Sequence, residues 1–276
     1  MLQVWLITGS SRGLGRALTE GVLEAGYRVV ATARDPEQLR ELKTKYGDSV
    51  RTAALDVTSE TQAKAAVEAA IAGFGQLDVL VNNAGYGNVA PVEDTPMEEF
   101  RAQIETNLFG VILMTKAVLP YFRERGAGHI FQVSSIGGRI GPVGRAPYAA
   151  AKFGVEGFSE SLAREVGPLG VKVTILEPGG FRTDFAGAST ELRPGRPEYD
   201  ATVGASVRFQ QGYNGKQPGD PAKAAEVILQ VAGMEDPPLR LLLGSDAFQG
   251  AERSALAKLE EDRRWKQLSE STDFAD

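Results

Sequence analysis

The chain has no cysteine and only one histidine in its 276 residues. Without cysteine it can form no disulfide, no thiolate zinc site and no cysteine nucleophile, and it suits a reducing cytosol. The one imidazole, His129, stands before the apolar run Ile130-Phe-Gln-Val133 and reads as a strand-entry residue. A Ser-His-Asp hydrolase and a histidine-rich metal site are therefore not expected, and no metal is assigned. Also missing is any run approaching the ~20 apolar residues of a membrane-spanning helix. The first apolar run begins at residue 3, which leaves no room for a signal peptide, so a cytoplasmic location is expected. Positive charge is in deficit, with 30 Lys and Arg against 36 Asp and Glu for a net charge of -6. That balance argues against nucleic-acid or anionic-membrane partners, while leaving room for a local basic pocket that holds one phosphate.

The 42% apolar composition is enough for a substantial core, and nothing in the chain reads as a linker, so residues 1–276 are expected to form one α/β domain. Apolar strand candidates at 3–8, 28–33, 50–56, 77–83, 129–134, 171–177 and 239–243 alternate with helical stretches beginning near 13, 36, 59, 98, 148 and 221. This rhythm predicts right-handed βαβ units and a doubly wound, seven-stranded parallel sheet with helices on both faces. Ligands of such sheets bind beyond the carboxyl ends of the strands.

Two local patterns carry chemistry. The first is Thr8-Gly-Ser-Ser-Arg-Gly-Leu-Gly15, which joins the strand-like run Gln3–Ile7 to a helical pattern. Gly9, Gly13 and Gly15 permit a tight turn and close approach of backbone N–H groups to a diphosphate at a helix N-terminus. The second is Tyr148-Ala-Ala-Ala-Lys152, which places a phenol and an ammonium on one helix face. A fixed ammonium is expected to lower the phenol pKa from its usual value of roughly 10. Each pattern alone has an ordinary reading, as a glycine-rich connection and as a surface helix.

Taken together, the glycine motif, Asn82-Asn-Ala-Gly85 at the end of an apolar run, Asn107, Ser135 thirteen residues before Tyr148, and Pro178-Gly179 resemble the short-chain dehydrogenase/reductase family in order and spacing, over about residues 3 to 245. The resemblance implies a Rossmann-type fold and an oxidoreductase with a catalytic set of Asn107, Ser135, Tyr148 and Lys152. In this set Ser135 polarises a carbonyl and Tyr148 supplies the proton. Lys152 holds the nicotinamide ribose, and Asn107 supports a helix irregularity and a water leading to solvent. It also implies cofactor contacts from Gly9, Ser11, Arg12, Gly13, Leu14 and Gly15, from Arg34, from Asp56 and Val57, and from Asn83, Ala84 and Gly85. Further contacts come from Tyr148, Lys152, Pro178, Gly179, Phe181 and Thr183. NAD-preferring members place an acidic residue eighteen positions after the last motif glycine, where this chain has Ala33 followed by Arg34. With Arg12, this resembles the NADP-preferring members, so NADP(H) is the expected cofactor. Asp35 before Pro36 reads as a helix cap.

The segment 183–218 breaks the alternation and carries Phe185, Tyr199, Phe209 and Tyr213, which suits a substrate lid. With Ile136, Ile140 and Val143 these residues predict apolar walls and a small-molecule substrate that is a hydrophobic ketone or aldehyde, or the matching secondary alcohol. Arg139 and Arg145 leave an acidic substrate open and read equally as solvated loop residues. The resemblance also implies a homo-oligomer built through the helices beginning near 98 and 148, with Leu108, Val111, Phe153 and Phe158 as apolar area. An extra helix at about 248–268 is expected to obstruct a tetramer and leave a dimer, and the polar end 269–276 to fray. Two other readings are a noncatalytic dinucleotide sensor, which would be expected to lack the Tyr or Lys, and an epimerase or dehydratase, which would need a longer carboxyl-terminal domain.

Overall fold

The structure is a computed structural model that describes residues 2–187 and 189–274. Strand β1 (Val4–Ile7) is wholly buried, and its side chains divide by the two-residue period of a strand. Trp5 and Ile7 enter a core on one face of the sheet with Leu18 and Val22 of α1 (Gly13–Glu24) and Ile228 of α8 (Pro221–Ala232). Val4 and Leu6 enter a second core on the other face. There they meet Val67 of α3 (Glu60–Phe74), Met114 and Phe122 of α5 (Gly110–Arg125) and Leu162 of α6 (Ala146–Val166). Each large apolar side chain removed from water in these layers contributes about 1.5–3 kcal/mol.

The remaining strands are β2 (Arg28–Ala33), β3 (Val50–Ala54), β4 (Val79–Asn82), β6 (Gly128–Val133), β7 (Val171–Pro178) and β9 (Arg240–Leu243). All pairs are parallel, in the order β3-β2-β1-β4-β6-β7-β9. The expected doubly wound, seven-stranded sheet is thus observed. His129 lies in β6 as expected, stacked on Phe131 at 4.0 Å between ring centroids. Burial pushes its imidazole down to about 3, so it stays neutral.

Three details refine or depart from the sequence expectation. The helix expected near 98 is α4 (Met97–Ile104) running through a π-helical turn, Glu105–Phe109, into α5. The segment 183–218 is more ordered than an irregular lid, with strand β8 (Thr190–Leu192), a π-turn at Asp200–Gly204 and α7 (Ala205–Tyr213). Its β8 pairs with β5 (Gly87–Val89) in a separate parallel ribbon; three-residue strands are too short to show a period. Ala188 of this segment lies outside the described residues. The carboxyl-terminal helix α9 spans Ser245–Glu270, and of the polar end expected to fray, Ala275 and Asp276 lie outside the described residues. Arg40–Tyr46 forms α2, entered through a 3₁₀ turn that Asp35 caps by accepting from Glu37 N at 3.0 Å.

The strand order reverses between β1 and β4, and beyond the end of their ladder the two segments need a further join. Thr8 supplies it. Its buried hydroxyl accepts hydrogen bonds from the backbone N–H groups of Asn83 and Ala84, each at 2.9 Å. The Asn83 side chain returns by donating to the carbonyls of Thr8 at 2.9 Å and Gly9 at 3.2 Å. Thr8→Val keeps the shape and removes this acceptor, leaving the half-buried Ala84 N without its partner while Asn83 N keeps Val81 O at 3.1 Å, at a cost of about 1–3 kcal/mol. Chemical denaturation of Thr8→Val against Thr8→Ser is expected to show that loss in the valine variant and a substantially smaller one in the serine variant.

Candidate active site

A cleft of about 1510 Å³ opens over the carboxyl ends of the strands. This exceeds the roughly 300–1,000 Å³ of a pocket for one drug-sized ligand. Every residue expected to serve catalysis or cofactor binding lines it.

At one end lies the turn between β1 and α1. Gly9 and Gly13 have φ of 70° and 59°, the left-handed region open to glycine. Gly15 is constrained by contact instead, since a Cβ there would lie 2.3 Å from both Gly9 O and Asn83 Nδ2. The turn therefore presents backbone rather than side chains to the cleft beside Ser11 and Leu14, and it starts α1 with its N–H groups facing a prospective anion. Arg12 and Arg34 are exposed on the same rim. Asp56 sits beside them next to Val57. Its Oδ1 accepts from Thr58 Oγ1 at 2.7 Å and Thr58 N at 3.0 Å. These bonds, and then the charge of Arg34, hold the Asp56 carboxyl below its ordinary range.

At the other end, Tyr148 and Lys152 occupy successive turns of α6 and are both buried. Lys152 Nζ donates to Val133 O at 2.7 Å and lies 5.7 Å from the Tyr148 ring centroid. Burial pushes its ammonium down to about 8, against the opposing charge of Glu156 one turn further on. The expectation that Lys152 lowers the Tyr148 pKa does not hold here. Burial raises it, because the phenolate would lose its hydration, and the groups that oppose this are the hydroxyl of Ser135 and the charge of Arg145. Ser135 Oγ also accepts from Gly137 N at 3.0 Å, which fixes it at the end of β6. The adjacent Ser134 hydroxyl is buried, and a Cβ on Gly138 would come within 2.6 Å of it.

Asn107 lies in the π-turn, as its expected link with a helix irregularity requires. Its Nδ2 donates to Gln103 Oε1 at 2.7 Å and to Tyr86 O at 3.1 Å, and its Oδ1 accepts from Tyr86 N at 3.2 Å. Gly85 leaves room for that oxygen, since a Cβ would sit 2.5 Å from it. Asn107 thus ties the helix to the loop after Asn83 and Ala84.

Pro178, Gly179, Phe181 and Thr183 follow β7 along the cleft wall. Thr183 comes back over the glycine turn, and a Cβ on Gly13 would be 3.6 Å from the Thr183 Cβ. Of the side chains expected to form apolar walls, Ile136, Phe185 and Tyr213 line the cleft. The others do not. Tyr199 packs against Val89 and Val203, Phe209 is exposed and stacks on Tyr213, Val143 is exposed, and Ile140 is half-buried away from the lining. Arg139 is not a solvated loop residue, because it pairs with the fully buried Glu177 at 2.8 Å.

Sequence reasoning missed Asp246, at the start of α9. Its Oδ2 accepts from Gly180 N at 2.7 Å and pins the loop that carries the cleft wall. The partners are 66 residues apart, and the only local sign is an acidic residue in a helix first turn. Also missed were Phe185 as a neighbour of Tyr148, with ring centroids 5.6 Å apart, and Gln103 beneath Asn107.

The family described as short chain dehydrogenase matches residues 3–193. The chain is 48% identical over 270 residues to Oxidoreductase BOA17 of Botryotinia fuckeliana (strain B05.10), with 98% of each chain covered. A short-chain dehydrogenase from Streptomyces avermitilis superposes with a TM-score of 0.92 at 40% identity, over 98% of this chain and 100% of that one. A metagenomic short-chain oxidoreductase in complex with NADP superposes with a TM-score of 0.70 at 28% identity, over 87% of this chain and 96% of that one.

Removing Asp246 tests the pinned loop. Asp246→Ala orphans the Gly180 N–H and is expected to cost about 1.5–3 kcal/mol, whereas Asp246→Asn keeps an acceptor and most of the stability. Urea titration of the two variants, with hydrogen exchange read at residues 178–183, measures both.

Proposed function

Because the chain is a member of the short-chain dehydrogenase/reductase family, we propose that it transfers a hydride between NADP(H) and a hydrophobic ketone or aldehyde, or the matching secondary alcohol. The observation that carries this reading is the joining of two ends in one cleft: a glycine turn with two rim arginines, and a buried tyrosine bonded to a serine beside a buried lysine. The cleft's volume suits a dinucleotide with a substrate. The NADP bound by the metagenomic relative supports the cofactor assignment. Arg12 and Arg34 are the residues that would hold a 2′-phosphate, with charge-assisted contacts.

When bound, the reduced nicotinamide supplies the hydride that forms the new C–H bond at the carbonyl carbon. Ser135 donates a hydrogen bond to the carbonyl oxygen as negative charge develops on it. Tyr148, kept protonated by burial, gives its phenol proton to that oxygen and completes the alcohol. The Lys152 ammonium lies beside the phenolate left behind and stabilises it, and it would hold the nicotinamide ribose. Phe185, Ile136 and Tyr213 present apolar surface to the substrate, worth about 25 cal/mol per Å² of area removed from water. The segment 183–218 acts as a lid over it, within a single domain.

A cytoplasmic dimer is the proposed state. No helix among the described residues is long and apolar enough to cross a membrane. Phe109 and Phe153 are exposed on the helices expected to pair, and Leu108 and Phe158 are half-buried. Val111 faces the core and is withdrawn from that surface.

Four measurements test the reading. Tyr148→Phe is expected to cut ketone reduction by roughly 10²–10⁴-fold while most NADPH affinity survives; near-normal turnover would require another acid. Arg34→Asp is expected to lose about 1.5–3 kcal/mol of NADPH binding selectively, and calorimetry showing tighter NADH than NADPH binding in the unmodified protein contradicts the cofactor assignment. In the pH profile, ketone reduction is expected to hold at neutral pH and fall above about pH 8 as Lys152 loses its proton, while alcohol oxidation, which needs the tyrosinate, rises with pH. Aryl or cyclic ketones should outperform sugars and polyols of similar size.

A further inference from the structure

Among the described residues, half-buried arginines are neutralised with one exception. Arg16, Arg51, Arg139, Arg193 and Arg240 each have a carboxylate within ion-pair distance. Arg145 is half-buried as well, lines the catalytic cleft, and has no carboxylate partner or side-chain hydrogen bond among the described residues. Burying an unpaired guanidinium is costly, and it stays charged because it cannot readily release its proton.

The backbone holds it in place. Gly144 turns at φ 78°, its carbonyl accepts from Ala90 N at 2.8 Å, and Arg145 N donates to Pro142 O at 3.2 Å. Arg145 O then accepts from Ala149 N at 2.8 Å in the first turn of α6, three residues before Tyr148. The guanidinium reaches toward β5, where a Cβ on Gly87 would lie 3.3 Å from Arg145 Nη1 and 3.3 Å from Phe185 Cζ. Arg145, Phe185 and Tyr148 therefore surround one space at the substrate end of the cleft. Of the carboxylates that line the cleft, Glu99 and Glu191 both pair with Arg193, and Asp184, beside Phe185, forms no ion pair with Arg145.

The geometry points to Arg145 as the anchor for a carboxylate on the substrate, so that the preferred substrate is an oxo acid with a hydrophobic body. This rests on the proposed carbonyl reduction and narrows its substrate class. A carboxylate matches the planar fork of the guanidinium in a bidentate contact, completes the missing pair, and leaves the hydrophobic body against Phe185 while the carbonyl reaches Tyr148. The phosphates of the cofactor do not account for Arg145, since their turn and rim arginines stand at the opposite end of the cleft.

The experiment compares 4-oxo-4-phenylbutanoate with its primary amide at saturating NADPH, for the unmodified protein, Arg145→Lys and Arg145→Gln. The acid is expected to exceed the amide by about 10–100-fold in kcat/KM, chiefly through KM. That ratio should fall to near one in Arg145→Gln and lie between in Arg145→Lys. A second arm titrates the NADPH complex with the unreactive 4-phenylbutanoate and 4-phenylbutanamide by calorimetry, and carboxylate binding that Arg145→Gln abolishes supports the anchor independently of turnover. Equal use of acid and amide by the unmodified protein overturns the proposal, as does a parallel fall of both in Arg145→Gln, which would mean that Arg145 acts only on Tyr148. If no carbonyl is reduced at all, the oxidoreductase reading fails, and the calorimetric arm alone decides the anchor.

Discussion

The join between β1 and β4 is the constraint on which the rest of the cleft depends. Beyond the last pair of the β1–β4 ladder the two segments part, and half-buried backbone groups there need partners from side chains. One hydroxyl, that of Thr8, accepts from two of them, and the Asn83 amide covers two carbonyls of the opposite chain. Because Asn83 packs so closely, Gly15 can carry no side chain, and the turn that begins α1 is drawn against the sheet. The same loop continues to Gly85 and Tyr86, where Asn107 takes hold of it from the π-turn. The glycine turn and the π-turn that carries Asn107 are in this way referred to a single point.

Burial governs the chemistry at the far end of the cleft more strongly than pairwise charge does. Tyr148 and Lys152 are both withdrawn from water, and each is pushed toward its neutral form: the phenol upward, the ammonium downward. A phenol that holds its proton thus stands beside an ammonium that is easily discharged. The neighbouring charge that acts on the phenol is Arg145, from outside the Tyr-x-x-x-Lys pattern. This site is reinforced from behind by Arg139 and Glu177 and from the carboxyl terminus by Asp246.

Much of this was legible in the linear chain. The seven strands announced themselves as apolar runs because a parallel sheet buried on both faces leaves no polar face to interrupt them. Gly9 and Gly13 marked a turn that side chains would not tolerate, and Asp35 before Pro36 marked a cap. The ribbon of β5 and β8 was not legible, since three residues have no period and the pairing spans about a hundred residues. Val111 illustrates a subtler failure: at helical spacing an apolar residue signals a buried face without saying whether the cover is the protein's own sheet or another molecule.

The order of residues was sufficient for what is local or periodic: the strand and helix alternation, the glycine turn, and the placement of Tyr148 and Lys152 on one helix face. It could not say how deeply that face would be buried, and desolvation reverses the direction of the tyrosine shift that the pair alone suggests. Nor could it distinguish Arg139 from Arg145, two loop arginines six positions apart. Folding brings the first to buried Glu177 and leaves the second in the cleft without a carboxylate partner among the described residues, because a charge's partner is set by elements that meet only in three dimensions.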